Sequence, residues 1–298
     1  MKPLDVIEML ALGIAWGGSF LFMRIAAPEF GPIALIAVRV SIAALVLLPF
    51  LLHSGKAGVL LQHGPAFIFF GAINSGLPFC LFAFATLSLN AGFTSVLNAT
   101  APLFTAIVAY LWLSERLSRL SLAGLLVGFS GVVLLVSNKL GFAGEVDVSA
   151  AMLGIAAGLL ASFSYGCAAN YIRARFVGVG SLELAAGSQV GSSLLFLPLC
   201  FWFWPSQTPS AGAWSAVLAL GIVCTGLAYI VFFRLIGRLG PSRAITVTFL
   251  VPVSAMVFGA LFLGEIITLS MLFGCGLILL GTALATGLLN PGNNKGSA

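Results

Sequence analysis

Charged residues are scarce in this chain. Asp, Glu, Lys and Arg make up 7% of the 298 residues, whereas soluble domains carry about 25%. A soluble globule of this size could not cover its surface with so few charges, and the mean hydropathy of +1.16 places most side chains in lipid. Soluble enzymes, nucleic-acid-binding proteins and disordered proteins are thereby excluded. The net charge of +5 calls for no acidic partner, because membrane proteins carry basic loops.

The chain also lacks the residues of a metal site or a catalytic centre. Its two histidines, His53 and His63, belong to a loop with Lys56, where we expect them to be solvated. The five cysteines lie in apolar stretches and form no CxxC pair, which disfavours a disulfide framework and a metal site. Neither a phosphate-binding P-loop nor a zinc-binding HExxH helix occurs. We therefore expect no cofactor, no metal and no enzymatic activity.

Long apolar segments fill most of the chain instead. A membrane-spanning helix needs about 20 mostly apolar residues, and division at charges and turn residues gives ten such segments. Runs such as 277–280 are uniformly apolar, whereas a β-barrel needs alternating polar and apolar residues. The sequence thus predicts an all-α integral membrane protein with ten transmembrane helices. The predicted helices cover residues 6–26, 32–52, 65–89, 93–113, 120–137, 150–172, 181–203, 214–234, 242–263 and 268–289.

Lysine and arginine are distributed unevenly over the predicted connections. Ten of them fall on one side, whereas two, Lys139 and Arg24, fall on the other. Because basic residues accumulate in short cytoplasmic loops, this asymmetry predicts that both termini are cytoplasmic, which agrees with an even number of helices. The polar, glycine-rich tail at 290–298 is predicted to be disordered and cytoplasmic.

Two halves of the chain resemble each other at an offset of 150 residues. Pro102 matches Pro252 and Glu115 matches Glu265, and several glycines and leucines keep the same register. Each half contains five predicted helices, an odd number, so the second half must enter the membrane in the opposite orientation. The predicted inverted repeats cover residues 1–138 and 151–289, joined by a loop at 139–150. Repeats of this kind place a transported substrate near the bilayer midplane.

Short motifs in a fixed order carry a resemblance to a known family. They are AWGGSF at 15–20, Arg39, NATAPL at 98–103, LSER at 113–116, VPV at 251–253 and LGE at 263–265. With these motifs in two five-helix halves, nearly the whole chain resembles the EamA-type members of the drug/metabolite transporter superfamily, and among them the amino-acid exporters of the YddG type. The resemblance implies export or exchange of small metabolites, often amino acids, across the bacterial inner membrane without ATP hydrolysis.

Arg39 is the one basic residue placed deep inside a predicted helix. A charge in hydrocarbon is costly and should face a partner or a wet cavity, unless its long side chain reaches the outer interface. If Arg39 is buried, Glu29 and backbone carbonyls are the expected partners, and a structural latch and a substrate contact are both open. Gln189 occupies the matching position in the second half, so a role of Arg39 is not duplicated.

Aromatic and polar side chains within the helices are the candidate substrate-binding residues. Trp16 and Tyr165 lie at matching positions and could line a central cavity or pack through the adjacent glycines. A proline frees carbonyls one turn earlier, so polar residues ahead of Pro102 and Pro252 predict cavity-lining helices. Hydrogen bonding between helices is the alternative. The substrate-binding candidates are Trp16, Asn74, Phe79, Asn98, Thr100, Tyr165, Tyr229 and Thr246.

The acidic residues favour structural roles over proton coupling. Glu115 and Glu265 lie at helix ends, where they would cap or tie a loop, although Glu8 and Glu183 leave proton coupling open. The predicted structural or gating residues are Arg39, Pro102, Glu115, Pro252 and Glu265. The sequence thus predicts an alternating-access carrier in contact with lipid and a small-molecule substrate, with no nucleic acid and no obligate protein partner. A passive channel and a non-transporting scaffold are the alternatives.

Overall fold

The computed structural model describes residues 2–141 and 147–288, which are helical apart from short connections. Eight of the helices are long and apolar enough to cross a membrane, and α9 is apolar but shorter. The prediction of an all-α membrane protein is thereby confirmed. The long helices are α1 (Pro3–His53), α2 (Gly64–Ser88), α3 (Ala91–Trp112), α4 (Arg119–Gly141), α5 (Val148–Arg175), α6 (Ser181–Trp202), α7 (Ala211–Leu239), α8 (Ile245–Leu263) and α9 (Leu269–Ala285).

The first two predicted helices are joined in α1, with no loop between them. The boundary is Gly31 alone, which has φ 69° and ψ 155°, a conformation that is essentially restricted to glycine. Pro32 follows it, and proline is well tolerated in the first turn of a helix because its missing N–H would have no partner there. The chain thus stops one helix and starts the next without a connecting segment.

The two arms of α1, 3–30 and 32–53, fold back on each other. Arg39 Nη1 lies 3.6 Å from Met23 Sδ, although these residues are 16 positions apart. That separation corresponds to about 24 Å along a straight helix, which the two side chains could not bridge. Gly31 therefore reverses the chain, and both ends of α1 lie on the same side of the molecule.

Two of the predicted helices are interrupted ahead of their prolines. In α3, a helix over Ala91–Asn98 ends in a turn, and a second helix begins at Ala101, one residue before Pro102. In α8, a 3-10 segment over Ile245–Phe249 precedes the α-helix that contains Pro252. Proline cannot donate the backbone hydrogen bond that would continue a regular helix, which explains both interruptions.

Helices α4 and α9 pack through glycines. A Cβ atom on Gly131 would lie 2.8 Å from the carbonyl oxygen of Gly274, and one on Gly281 would lie 2.5 Å from that of Gly124. The backbones therefore touch at two levels, as small residues allow in membrane helix pairs. Because the later residue of α4 meets the earlier residue of α9, the two helices run antiparallel.

The connection between α4 and α5 is shorter than the predicted loop at 139–150, since α4 extends to Gly141 and α5 begins at Val148. Asp147 caps α5 and accepts hydrogen bonds from the Ser149 hydroxyl and from the Ser149 and Ala150 backbone N–H groups. These hydrogen bonds, that of the hydroxyl first, hold the pKa of the Asp147 carboxyl below its ordinary value. The predicted tail at 290–298 lies outside the described residues.

Candidate functional site

Helices α2 and α7 each widen into a π-turn near their middle. The turns cover Ala72–Gly76 and Ile222–Leu227. Such turns release backbone carbonyls from the regular pattern and are frequent at functional sites. The Ile73 carbonyl accepts a hydrogen bond from the Ser164 hydroxyl at 2.8 Å. The Leu220 carbonyl accepts one from the Thr225 hydroxyl at 2.7 Å. Both turns therefore present polar groups inside the apolar helix bundle.

Arg39 is buried against the second of these turns, with 3% of its surface exposed. Its Nε donates to Thr225 Oγ1 at 3.1 Å, and its Cζ lies 3.7 Å from the centre of the Phe79 ring. Thr225 lies at the middle of the 29-residue helix α7, about 20 Å along the helix axis from either end. The guanidinium is therefore at mid-helix depth, and Arg39 does not reach the outer interface.

The prediction that Glu29 pairs with a buried Arg39 is wrong. Glu29 instead accepts hydrogen bonds from the backbone N–H and hydroxyl of Ser210, at 2.6 and 2.8 Å. Glu29 is exposed near the chain reversal at Gly31, whereas Arg39 lies two helical turns inside the second arm of α1. Sequence separation of ten residues concealed this difference in depth.

Gln189 of α6 is buried against the first π-turn. Its Nε2 donates to Ser75 Oγ at 2.8 Å. This contact matches that of Arg39 with Thr225, because Gln189 is 150 positions after Arg39 and Thr225 is 150 positions after Ser75. The two contacts thus join each half of the chain to the other in the same way.

The aromatic candidates divide into two groups. The Tyr165 ring of α5 lies 6.5 Å from that of Phe79 and 6.1 Å from that of Phe82, and Phe79 in turn contacts the Arg39 guanidinium. Tyr229 lies beside Asn74 and Ser75. Trp16 packs on Phe232 at 5.1 Å instead. We name the residues that surround the Arg39 guanidinium and the first π-turn the central cluster, which does not include Trp16. Its members are Arg39, Asn74, Ser75, Phe79, Tyr165, Gln189, Thr225 and Tyr229.

Three polar candidates form no hydrogen bond with the central cluster in the described part of the chain. The Thr100 hydroxyl donates to the Leu97 carbonyl and that of Thr246 to the Arg243 carbonyl, each one turn back in the chain. Asn98 is half-buried at the end of the first segment of α3. Asn74 does join the central cluster, where it donates to Ser75 Oγ at 3.4 Å and neighbours Tyr229. The structure thus brings together four of the eight substrate-binding candidates.

The two matched glutamates make different contacts. Glu265 accepts hydrogen bonds from the Ala91 and Gly92 backbone N–H groups, at 2.8 and 3.4 Å, at the start of α3. Glu115 forms an exposed ion pair with Arg173. The favourable position of a carboxylate at a helix N-terminus makes Glu265 a link between the second half and the first.

Ion pairs connect the two halves at the end of the molecule where α1 begins and ends. Lys56 lies 3.1 Å from Glu183, and Arg238 pairs with Asp5 at 3.1 Å and with Glu8. Both glutamates that left proton coupling open are therefore engaged with cations. All these residues belong to the side predicted to be cytoplasmic.

The candidate substrate-binding residues leave out Gln189 and the hydroxyls of Ser75 and Thr225. In the sequence, Gln189 is marked only by its departure from Arg39, and the two hydroxyls are two among many in the helices. A usable signal was present, because both pairs keep the 150-residue offset that relates the two halves.

Comparison with known proteins identifies the class as a multi-span membrane transporter. The EamA-like transporter family model matches residues 5–137 and 152–287. The chain belongs to the EamA-like transporter family. A solved crystal structure with 22% sequence identity has a TM-score of 0.64 over 97% of this chain and 98% of its own, so the two share a fold.

Several relatives match over nearly their full length. The uncharacterized transporter YvbV of Bacillus subtilis is 27% identical and covers 95% of this chain and 91% of its own. A probable amino-acid metabolite efflux pump of Escherichia coli is 25% identical, with 94% of each chain covered. A probable terminal-alkyne amino-acid exporter of Streptantibioticus cattleyicolor is 23% identical, with 89% of this chain and 88% of its own covered.

Proposed function

We propose that this chain is a secondary transporter that exports or exchanges small metabolites, amino acids with aromatic or other apolar side chains above all, by alternating access. The observation that carries the proposal is the central cluster, in which a buried arginine, two mid-helix π-turns and the aromatic side chains of Phe79 and Tyr165 meet between the two halves. Polar side chains inside an apolar bundle are costly and mark substrate pathways. The names of the E. coli and S. cattleyicolor relatives support amino acids as the substrate class.

The two halves are proposed to be inverted repeats with five crossings each. The two arms of α1 count as two crossings and α2 to α9 as eight, which gives ten. Helices α4 and α9 are the last of each half, and the glycine contacts of 131 with 274 and of 281 with 124 are related by the same 150-residue offset. Because these matched helices run antiparallel, the halves would have opposite orientations in the membrane.

Inverted repeats provide a physical basis for alternating access. Two similar halves can exchange conformations, which gives an inward-open and an outward-open state of comparable energy around a fixed midplane site. The ion pairs of Glu8 and Glu183 would close the cytoplasmic side, where the positive-inside rule also places both termini. We place the protein in a bacterial inner membrane, with halves at 1–138 and 151–289.

Counterflow in liposomes tests the proposed function. Purified protein is reconstituted with an excess of one unlabelled amino acid inside, and a trace of the labelled amino acid is added outside. Transient accumulation of label above equilibrium with some amino acids and not with others is expected of a carrier. Flux without overshoot would indicate a channel. No flux with any amino acid from folded protein would contradict amino-acid transport.

A matched pair of tyrosine variants locates the site in the same assay. Tyr165→Ala removes a ring of the central cluster, whereas Tyr110→Ala removes a ring from a side chain that is 53% exposed on α3. We expect the counterflow rate to fall at least about tenfold in the first variant and to stay near wild type in the second. Equal rates in both variants would place the substrate elsewhere.

A further inference from the structure

Arg39 is a buried cation without a carboxylate partner among the described residues. Its five N–H donors have Thr225 Oγ1 and Met23 Sδ as their recorded acceptors, and the Phe79 ring covers one face of the guanidinium. A buried charge is strongly unfavourable unless it is paired. The Arg39 guanidinium therefore has both spare donors and an energetic requirement for an anion.

The acidic side chains of the described residues are all engaged elsewhere. None of their recorded contacts is with Arg39, and those that form ion pairs do so with other cations. The protein thus does not supply the counter-ion of Arg39 from this part of the chain. The acids in question are Asp5, Glu8, Glu29, Glu115, Asp147, Glu183 and Glu265.

A second, independent irregularity lies on α6. In the described residues, two buried side-chain atoms have no hydrogen-bond partner, Gln189 Oε1 and Ser192 Oγ. Gln189 and Ser192 are three positions apart, so they share one face of α6, and both residues are completely buried. Native proteins contain few unpaired buried polar atoms. These two atoms on one helix face are acceptors that a donor group of a ligand would satisfy.

The two irregularities face the same place. Gln189 binds Ser75 in the first π-turn, and a Cβ on the adjacent Gly76 would lie 2.7 Å from Ser192 Oγ. Ser75 and Phe79 are four positions apart on α2, so they share one face of that helix, and the Phe79 ring lies against the Arg39 guanidinium. The acceptor pair and the guanidinium thus lie about one helical turn apart along α2.

We propose that Arg39 binds the carboxylate of a zwitterionic α-amino acid, and that Gln189 Oε1 and Ser192 Oγ accept hydrogen bonds from its ammonium group. This assignment rests on the proposed transport function and adds to it the chemistry that recognises the substrate. Guanidinium groups present parallel donors that fit a carboxylate, whereas an amide oxygen and a hydroxyl suit an ammonium, which is a donor only. The rings of Phe79 and Tyr165 form the apolar side of the site, which would contact the side chain of the substrate.

The test compares three ligands that differ by one group each. Phenylalanine carries both charges, 3-phenylpropanoate lacks the ammonium, and phenethylamine lacks the carboxylate. Their affinities for detergent-purified protein are measured by calorimetry for wild type, Arg39→Gln and Gln189→Leu, with Arg173→Gln as a control that removes an exposed arginine from an ion pair. Thermal unfolding of each variant verifies that it is folded.

Each of the two variants is expected to weaken a different pair of ligands. Arg39→Gln should weaken phenylalanine and 3-phenylpropanoate about 30-fold or more and leave phenethylamine nearly unchanged. Gln189→Leu should weaken phenylalanine and phenethylamine but not 3-phenylpropanoate, and Arg173→Gln should change none. If Arg39→Gln does not fold, Arg39→Lys takes its place and is expected to weaken the two carboxylates about tenfold, because a lysine keeps the charge and loses the paired donors.

Equal weakening of all three ligands by the arginine variant would overturn the assignment, because it would show a structural effect without group recognition. The assignment would also be overturned if 3-phenylpropanoate and phenethylamine each bound the wild-type protein as tightly as phenylalanine. Failure of the transport proposal looks different. In that case the wild-type protein would give no counterflow and bind none of the three ligands.

Discussion

The π-turns at Ala72–Gly76 and Ile222–Leu227 have the same backbone form but different chemistry around them. The second turn offers Thr225 to a permanently charged guanidinium, whereas the first offers Ser75 to the neutral amide of Gln189. The frame is thus shared between the halves while the charge is confined to one of them. A shared frame lets either side open with similar energy, and an unequal pair of partners can hold a substrate with two different ends in one orientation.

The largest expected effect concerns the glycine contact between α4 and α9, to which both halves contribute. A Cβ on Gly281 would overlap the backbone nitrogen of Gly128, so Gly281→Ala must push α4 and α9 apart, whereas Gly276 on the same helix has open space. We expect Gly281→Ala to lower the free energy of unfolding by about 3 kcal/mol and Gly276→Ala to change it little. Unfolding titrations in mixed detergent micelles measure both. Equal stability of the two variants would contradict the close antiparallel contact.

The next effect sharpens the difference between the two turns. Thr225→Val removes the acceptor of a buried charged group, which costs about 1.5–3 kcal/mol, whereas Ser75→Ala removes a neutral hydrogen bond worth about 1 kcal/mol. In the same unfolding titrations, Thr225→Val should therefore have a lower free energy of unfolding than Ser75→Ala. The reverse order would mean that Arg39 takes little support from Thr225.

The smallest effect concerns the matched glutamates. Glu265 is half-buried and binds two backbone N–H groups of α3, whereas Glu115 pairs with Arg173 in an exposed position. Glu265→Gln should lower the free energy of unfolding by about 1 kcal/mol, and Glu115→Gln by no more than about half as much. Raising the salt concentration should reduce the effect of Glu115→Gln further and leave that of Glu265→Gln largely unchanged. A larger loss for Glu115→Gln would remove this distinction between the halves.

Much of the fold could be predicted because it depends on properties that sequence carries directly. Apolar length predicted the helices. Pro102 and Pro252, which were expected to free carbonyls one turn earlier, follow the two interruptions. The absence of a loop at Gly31 could not be predicted, because a single residue with a glycine-specific conformation leaves no polar segment between helices. The start of α5 at Val148 likewise depends on the Asp147 cap and not on hydropathy.

The site was predicted less completely because depth and partner choice are three-dimensional properties. The fold brings together five of the polar or aromatic residues that lie within predicted helices. They are Arg39, Asn74, Phe79, Tyr165 and Tyr229. Thr100 and Thr246 satisfied the same criterion, but their hydroxyls bond to carbonyls one turn back. A hydroxyl can be satisfied within its own helix, so its presence in a span does not by itself predict a cavity.

Accessibility of the central cluster from both sides of the membrane tests the central claim most directly. Asn74→Cys, in a protein whose five native cysteines are replaced, is reacted with a membrane-impermeant maleimide in right-side-out and in inside-out vesicles. Alternating access predicts labelling from each side, with protection from both sides by the amino acid that gives counterflow. Labelling from one side only, unaffected by that amino acid, in a variant that still transports it would contradict a shared midplane site.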